Sequence, residues 1–287
     1  MMKNTGKSIR TRLLNIAREG KQEFMKVLIR YLHERLLFRI SVSQYKSHFL
    51  LKGSSLLFAL DGFKARPTID IDLLGERISN DRETLKNVFQ GICGIECEDD
   101  GVTFESSSIE LEPITEDKNY PGMRIKIVAR LDSIIQPISV DIGFGDVVTP
   151  CPVPLDYPIL LPNVPTVEIY AYSLETLIAE KFHTMVDRDE SNSRMKDFFD
   201  VYQLFTNHKI DHNLLSEAIV GTFKNRNTTY RESLSLFTDK FAADVARNSS
   251  WKAFLKKIRW KEQLDFLAVM DCIRMNLQVY WNKETLG

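Results

Sequence analysis

Apolar residues recur at helical spacing from Ile9 to about Leu37, with Leu13, Ile16, Ala17, Phe24, Val27, Leu28, Tyr31 and Leu32 on one broad stripe. The pattern predicts a long helix that Gly20 breaks in two. The rhythm then changes. Phe49-Leu50-Leu51 reads as a short buried strand, and the run Leu56 to Leu60, closed by Asp61-Gly62, as a short apolar helix. Strict alternation follows in Pro67-Thr68-Ile69-Asp70-Ile71-Asp72-Leu73, the period of a half-buried strand. It puts Ile69, Ile71 and Leu73 on one face and both carboxylates on the other. Pro137 to Gly143 repeats the pattern, with Ile138, Val140 and Ile142 against Ser139 and Asp141. Between them lie a helix near Arg82 to Phe89 and strand candidates at Val102–Phe104, Ile109–Leu111 and Arg124–Leu131.

Six prolines between Pro150 and Pro165 exclude regular helix, and the run reads as a stiff connection out of the mixed core. From Ser173 onward the spacing is almost entirely helical. Ser173 is a good N-cap for Leu174, Leu177, Ile178, Phe182 and Met185. Phe198, Tyr202 and Phe205 mark a second helix, and Trp251, Leu255 and Ile258 a third. A last helix from Lys261 to about Tyr280, carrying Leu264, Leu267, Ala268, Asp271, Met275 and Val279, is expected to close the helical core. Two domains follow: residues 1–165, a mixed core with a helical start, and residues 166–287, helical. The 287 residues are enough for both to have their own cores.

Composition narrows the function classes. Lys and Arg number 38 and Asp and Glu 39, so the formal net charge of −1 makes no global case for nucleic-acid binding; any RNA contact must come from a local patch. Lys252, Lys256 and Arg259 beside Trp251 and Trp260 are either such a patch, with a tryptophan to stack a base, or the solvated face of an amphipathic helix. No apolar run of membrane-spanning length occurs, and Met1 to Arg12 is basic without the apolar stretch of a signal peptide. The chain is therefore expected in the cytoplasm, with Cys93, Cys97, Cys151 and Cys272 reduced and zinc excluded by the lack of a matching ligand cluster. The five histidines have no ligand spacing, and neither a nucleophile elbow nor a Walker A loop is present.

The chemistry concentrates in the alternating strands. Asp70 and Asp72, about 7 Å apart on one strand face, repel each other. They are either a solvated acidic face or ligands of a hard divalent cation such as Mg²⁺ or Mn²⁺. Asp141 on a neighbouring strand would complete a three-carboxylate, two-metal site able to clamp both oxygens of a phosphoryl displacement. Upstream, Lys52-Gly53-Ser54 joins strand to helix. The Gly-Ser step lets backbone approach a phosphate, with helix-start N–H groups and the Ser hydroxyl as donors; the plainer reading is an N-cap by Ser54 or Ser55. Arg66 lies four residues before Asp70 and either neutralises phosphate or pairs with a surface acid. Lys181 sits on or beside an apolar stripe, where it must snorkel, pair with an acid or point into a cleft. Lys196 and Asp200 form an i,i+4 pair.

These residues fall in five ordered blocks: K-G-S, R-P-T-x-D-x-D-L, V-D-I-x-F-G-D, S-L-E-T-L-I-A-E-K and R-x-K-D-x-x-D. From about Phe49 to Phe205 they resemble the AbiEii/AbiGii toxin family, a branch of the polymerase-beta-like nucleotidyltransferases that supplies the toxins of abortive-infection and related toxin–antitoxin pairs. The resemblance implies an α+β fold: a nucleotidyltransferase core with a small mixed sheet, then a mostly helical C-terminal domain that completes the active-site cleft. The long gap from Ser54 to Asp70 implies an added turn at Asp61 to Arg66. Asp70 and Asp72 would hold Mg²⁺ and the triphosphate. Asp141 would hold a second metal and help deprotonate the acceptor. Lys52, Gly53, Ser54, Arg66, Lys181 and Lys196 would face the nucleotide, and Asp200 would orient Lys181 or contact the acceptor. The implied partners are an NTP, an RNA (tRNA) or protein acceptor, and a cognate antitoxin. A nucleotide-binding regulator without transfer activity is the alternative.

Overall fold

The computed structural model describes residues 5–114 and 122–286, which divide into two compact units. The first comprises Met1–Gly145 and Val153–Ala171, the second Asp146–Pro152 and Tyr172–Gly287. The first unit opens with α1 (Thr5–Glu19) and α2 (Phe24–Val42), so the helical stripe does break after Glu19, next to Gly20. Then come β1 (Phe49–Lys52), α3 (Gly53–Asp61), β2 (Asp70–Gly75), α4 (Arg82–Cys93), β3 (Val102–Ile114), β4 (Gly122–Leu131), β5 (Ile134–Phe144), β6 (Val153–Tyr157) and β7 (Val167–Ala171). A 3-10 turn at Gly62–Lys64 fills the long gap before β2. The described strands form one mixed sheet in the order β3-β4-β5-β2-β1-β7-β6. The β5–β2 and β1–β7 pairs are parallel and the others antiparallel.

Three expectations shift. Val102–Phe104 and Ile109–Leu111 belong to a single strand whose register slips between Glu105 and Glu110. Ser108 fills the slip: its hydroxyl donates to the Glu105 carbonyl at 2.7 Å and accepts the Val128 N–H at 2.9 Å. The proline-rich run re-enters the sheet as β6, on its edge, where Pro154 and its missing donor do least harm. Ile69 lies outside β2 and is 69% exposed, whereas Ile71 and Leu73 are fully buried.

The core beneath the sheet holds an unusual load of charge. α2 packs against β7, β5 and α4 and buries Arg30, His33, Glu34, Arg35 and Arg39 along with its aliphatics. Glu34, Arg35 and Arg39 are spent on backbone that lacks a regular partner, whereas the Arg30 guanidinium stacks on the Phe58 ring, 3.4 Å from its centroid. Glu34 takes Arg35 at 2.5 Å and the Leu160 N–H at 2.7 Å, while Arg35 donates to the Pro165 carbonyl at 2.9 Å. Together they tie down the β6–β7 connection. Arg39 donates to Asp100 at 2.7 Å and to the Ile95 and Val102 carbonyls, fixing the α4–β3 connection. Buried polar groups are tolerated because they are hydrogen-bonded.

The second unit contains α5 (Leu174–Arg188), α6 (Met195–Asn207), α7 (His212–Asn225), α8 (Asp239–Ala243), α9 (Val245–Ile258), α10 (Phe266–Leu277) and α11 (Lys283–Leu286). Ser173 caps α5 as expected, accepting the Thr176 N–H at 3.1 Å. Phe182, Phe198, Phe199, Phe223, Trp251 and Phe266 fill the core. Trp251 is 1% exposed, and its indole N–H donates to the Leu264 carbonyl at 2.7 Å; Trp260 packs edge-on against Phe199. Trp251 is therefore a core residue with no face to offer a base. α10 presents the opposite side from the one expected. Phe266, Val269, Met270, Ile273 and Leu277 are buried, while Leu267, Met275 and Val279 are more than half exposed.

Burial holds the Glu34 carboxyl above its ordinary 4.5, at about 7, against the opposing pull of Arg35 and the Leu160 N–H. A raised folded pKa means this group's contribution to stability is full below pH 4.5 and is lost as pH rises through about 7. Urea unfolding at a series of pH values should therefore show wild type losing stability across that window relative to Glu34→Gln. Parallel pH profiles for the two proteins would refute the assignment.

Candidate active site

The parallel pairing of β2 with β5 sets Asp72 directly beside Asp141, and Asp70 beside Ser139. Both strands bury alternate aliphatics, Ile71 and Leu73 on β2 and Ile138, Val140 and Ile142 on β5. The carboxylates must therefore project from the other face, where all three are half-buried. On the far side of β2, β1 runs antiparallel and brings Lys52 opposite Asp72. The chain then turns into α3 at Gly53, whose φ is +59°. A Cβ at Gly53 would run into the Asp72 carboxylate, so glycine serves here both the left-handed backbone and the close approach. Neither Ser54 nor Ser55 acts as a side-chain N-cap. Instead the Ser54 N–H and hydroxyl donate to Asp72 Oδ2 at 3.1 and 3.2 Å. The Ser55 hydroxyl donates to the Asp70 carbonyl at 3.1 Å, pinning the helix start to the strand. Asp72 thus supplies the negative charge that a helix N-terminus attracts.

Asp141 has a partner that the strand pattern alone did not point to. Arg124 on β4 donates through Nε and Nη2 to its two carboxylate oxygens, each at 2.7 Å. Among the described residues no three His, Cys, Asp or Glu side chains converge as an ion-binding group. Asp70, Asp72 and Asp141 share a sheet face without meeting as a cluster. Their chemistry fits a hard divalent cation, since all are oxygen donors and two stand side by side on neighbouring strands. The Arg124 fork occupies the two oxygens that Asp141 would offer.

In the second unit Lys181 is 8% exposed and pairs with acids, one of the three options its position allowed. Its Nζ lies 2.7 Å from Asp200 Oδ2 and 3.2 Å from Asp197 Oδ1. Arg194 holds the other Asp197 oxygen at 2.8 Å. Burial pushes the Asp197 carboxyl up, but Lys181 and Arg194 outweigh it and hold it at about 2. Lys196 lies exposed on the first turn of α6. The Asp146 side chain, 6% exposed, accepts from Tyr172 Oη at 3.0 Å and Arg226 Nη2 at 2.9 Å. Glu180 shares that arginine at 3.3 Å. Burial first, then Glu180 and Asp146, raise the Tyr172 hydroxyl well above its ordinary value.

The first unit thus gathers Lys52, Gly53, Ser54, Asp72 and Asp141, with Asp70 two residues along the same strand and Arg66 in the loop that leads into it. The second unit joins Lys181 to Asp200. Arg124 and Asp197 are additions. A readable sign of Arg124 did exist: Leu131 and Ile134 flank a two-residue turn, and counting seven residues outward from each reaches Arg124 and Asp141.

Two outcomes test this geometry. Gly62 also has φ +59° but open space around it, so Gly62→Ala should cost only backbone strain, about 1–3 kcal/mol. Gly53→Ala should cost clearly more in thermal or urea unfolding, because Asp72 must also move. Lys181→Met should cost about 3–5 kcal/mol by stranding buried carboxylates. A depressed carboxyl contributes stability above pH 3.8 that is lost as pH falls towards 2, so the variant should also show a shallower acid slope in that window.

A family model described as the nucleotidyl transferase AbiEii toxin of a type IV toxin–antitoxin system matches residues 35–271, which include every residue placed above from Lys52 to Arg226. No curated protein matches the chain. Among solved structures it is similar to JHP933 from Helicobacter pylori, at 13% identity over 83% of this chain and 94% of that one, with a TM-score of 0.43. It is also similar to an H. pylori protein provisionally named a nucleotidyltransferase, at 14% identity over 84% of this chain and 100% of that one, again with a TM-score of 0.43. With the family match spanning most of its length, the chain belongs to the AbiEii nucleotidyl transferase toxin family of type IV toxin–antitoxin systems.

Proposed function

We propose that this nucleotidyltransferase moves a nucleoside monophosphate from an NTP to a hydroxyl of an RNA, tRNA foremost, or of a protein, with Mg²⁺ as cofactor. The observation that carries the reading is the register of β2 on β5, which sets Asp72 beside Asp141 at the mouth of the Gly53-Ser54 helix start. Asp70, Asp72 and Asp141 are the residues that would hold a divalent cation. Bound there, it would supply positive charge against the charge that develops on the phosphate oxygens. The acceptor oxygen attacks the α-phosphorus, the bond to the β-phosphate breaks, and pyrophosphate leaves. Asp141 takes the acceptor's proton. The Ser54 N–H and hydroxyl, now on Asp72, are donors of the right kind for phosphate oxygens. In the second unit Lys181 is the compact cation that the family resemblance assigns to the triphosphate, and Asp200 and Asp197 hold its ammonium in place. Lys52, Arg66 and Lys196 add positive charge towards the nucleotide. An enzyme of this kind draws on the cytoplasmic NTP pool, arrests growth, and is restrained by a cognate antitoxin.

A regulator that binds NTP without transfer is the second reading, and the Arg124 fork on Asp141 favours it if that pair never opens. One assay separates the two. Purified protein is incubated with Mg²⁺, each α-³²P-labelled NTP in turn, and total bacterial tRNA. Label should enter RNA or protein and fall by at least about 1,000-fold in Asp72→Ala, as expected when metal-assisted charge stabilisation is removed. Expression of wild type, but not Asp72→Ala, should arrest growth. Tight NTP binding with no labelled acceptor and equal growth of both strains would overturn the transfer reading in favour of the regulator.

A further inference from the structure

β4 carries three basic side chains on the sheet face that bears the acidic site: Arg124, Lys126 and Arg130. Two of them pair outward with β3. Lys126 meets Glu112 at 2.7 Å, and Arg130 meets Glu105. Arg124 behaves differently. Its register partner on β3 is Glu112 and its register partner on β5 is Asp141, so it stands between two carboxylates. It turns to Asp141 and closes both oxygens in a side-on fork.

A side-on guanidinium and a cation chelated by the same two oxygens exclude each other. They also carry charge of the same sign, so their approach is repulsive. The Arg124 side chain is 38% exposed and Asp141 only 19%, which leaves the arginine, rather than the carboxylate, with room to swing. Its destination exists already, since Glu112 lies opposite on β3, is half-exposed, and is otherwise held by a single lysine.

We infer that Arg124 is a displaceable counterion of Asp141, exchanging between Asp141 in the metal-free protein and Glu112 when a divalent cation takes the carboxylate. The inference rests on the metal-dependent reading above and adds a positioning residue to it. Without metal, Arg124 keeps Asp141 oriented on its strand and lowers the affinity of the site for a bare cation. The protein therefore binds metal weakly until the fork opens.

The test is Mn²⁺ binding, followed by electron paramagnetic resonance, to the full-length protein without nucleotide. Arg124→Gln should bind Mn²⁺ about tenfold more tightly than wild type, the scale of removing one part-exposed competing charge. The gain should vanish in Arg124→Gln/Asp141→Asn. Arg124→Lys keeps the charge without the fork and should fall between, and it carries the test alone if Arg124→Gln fails to fold by circular dichroism. Glu112→Gln, which removes the destination, should weaken Mn²⁺ binding several-fold. Equal or weaker Mn²⁺ binding by folded Arg124→Gln and Arg124→Lys overturns the inference and leaves the metal reading intact. Mn²⁺ binding by neither wild type nor Arg124→Gln, with or without ATP, overturns both.

Discussion

The parallel pairing of β2 with β5 is the constraint on which the candidate site depends. A one-residue slip in that register would send Asp72 or Asp141 to the buried face and an aliphatic to the surface. The sheet resists such a slip because β5 buries its aliphatics on one side only and β2 does the same from Asp70 to Leu73, Leu74 alone being buried on the carboxylate side. The carboxylates are held in place by Ile71, Leu73, Ile138, Val140 and Ile142 beneath them. The hydrophobic effect and the placement of the chemistry are here one interaction seen from two faces of a sheet. β1 and α3 then follow, because the turn at Gly53 must pass within contact of Asp72, and the α3 N-terminus meets the carboxylate that the register has positioned.

The same sheet explains the charge buried on α2. Two of its connections, α4 to β3 and the link between the antiparallel strands β6 and β7, lack regular backbone partners. The second is rich in proline, which removes donors and leaves carbonyls to be satisfied. Arg35, Glu34 and Arg39 reach from α2 to meet those groups. The cost of burying them is offset by hydrogen bonds rather than by charge pairing alone, and Glu34, raised to about 7, shows the balance to be close.

Much of this was legible in the sequence wherever local period decides structure. Alternation marked β2 and β5 and told Asp70, Asp72 and Asp141 from their aliphatic neighbours. Lys181 stood out as a cation among core residues, and it is in fact buried against Asp200. What stayed hidden depends on contacts between distant segments. The proline run looked like a connector because no local pattern announces an edge strand whose partner comes ten residues later. On α10, a row containing Leu267, Met275 and Val279 was as regular as the buried face, yet it also carried Asp271. The row Phe266, Val269, Met270, Ile273 and Leu277 carries no polar residue, and the core selected it. Between a stacking platform and an amphipathic helix with a solvated basic face, the spacing around Trp251 could not decide; Phe199 and Phe266 claim the ring.

The charges of the first unit's site have a logic of their own. Carboxylates crowded onto one sheet face repel when no cation is bound, and a folded chain must offset that repulsion internally. Here the offset has two parts of different stiffness. Asp72 is held by a backbone N–H whose direction the helix start fixes, together with the Ser54 hydroxyl, which can rotate to another acceptor. Asp141 is held by a part-exposed arginine on a neighbouring strand, which has room to swing away. A site built this way is pre-formed at one carboxylate and closed at the other. In the metal-dependent reading proposed above, its readiness for a cation would be governed by how easily Arg124 gives way, while the backbone stays as it is.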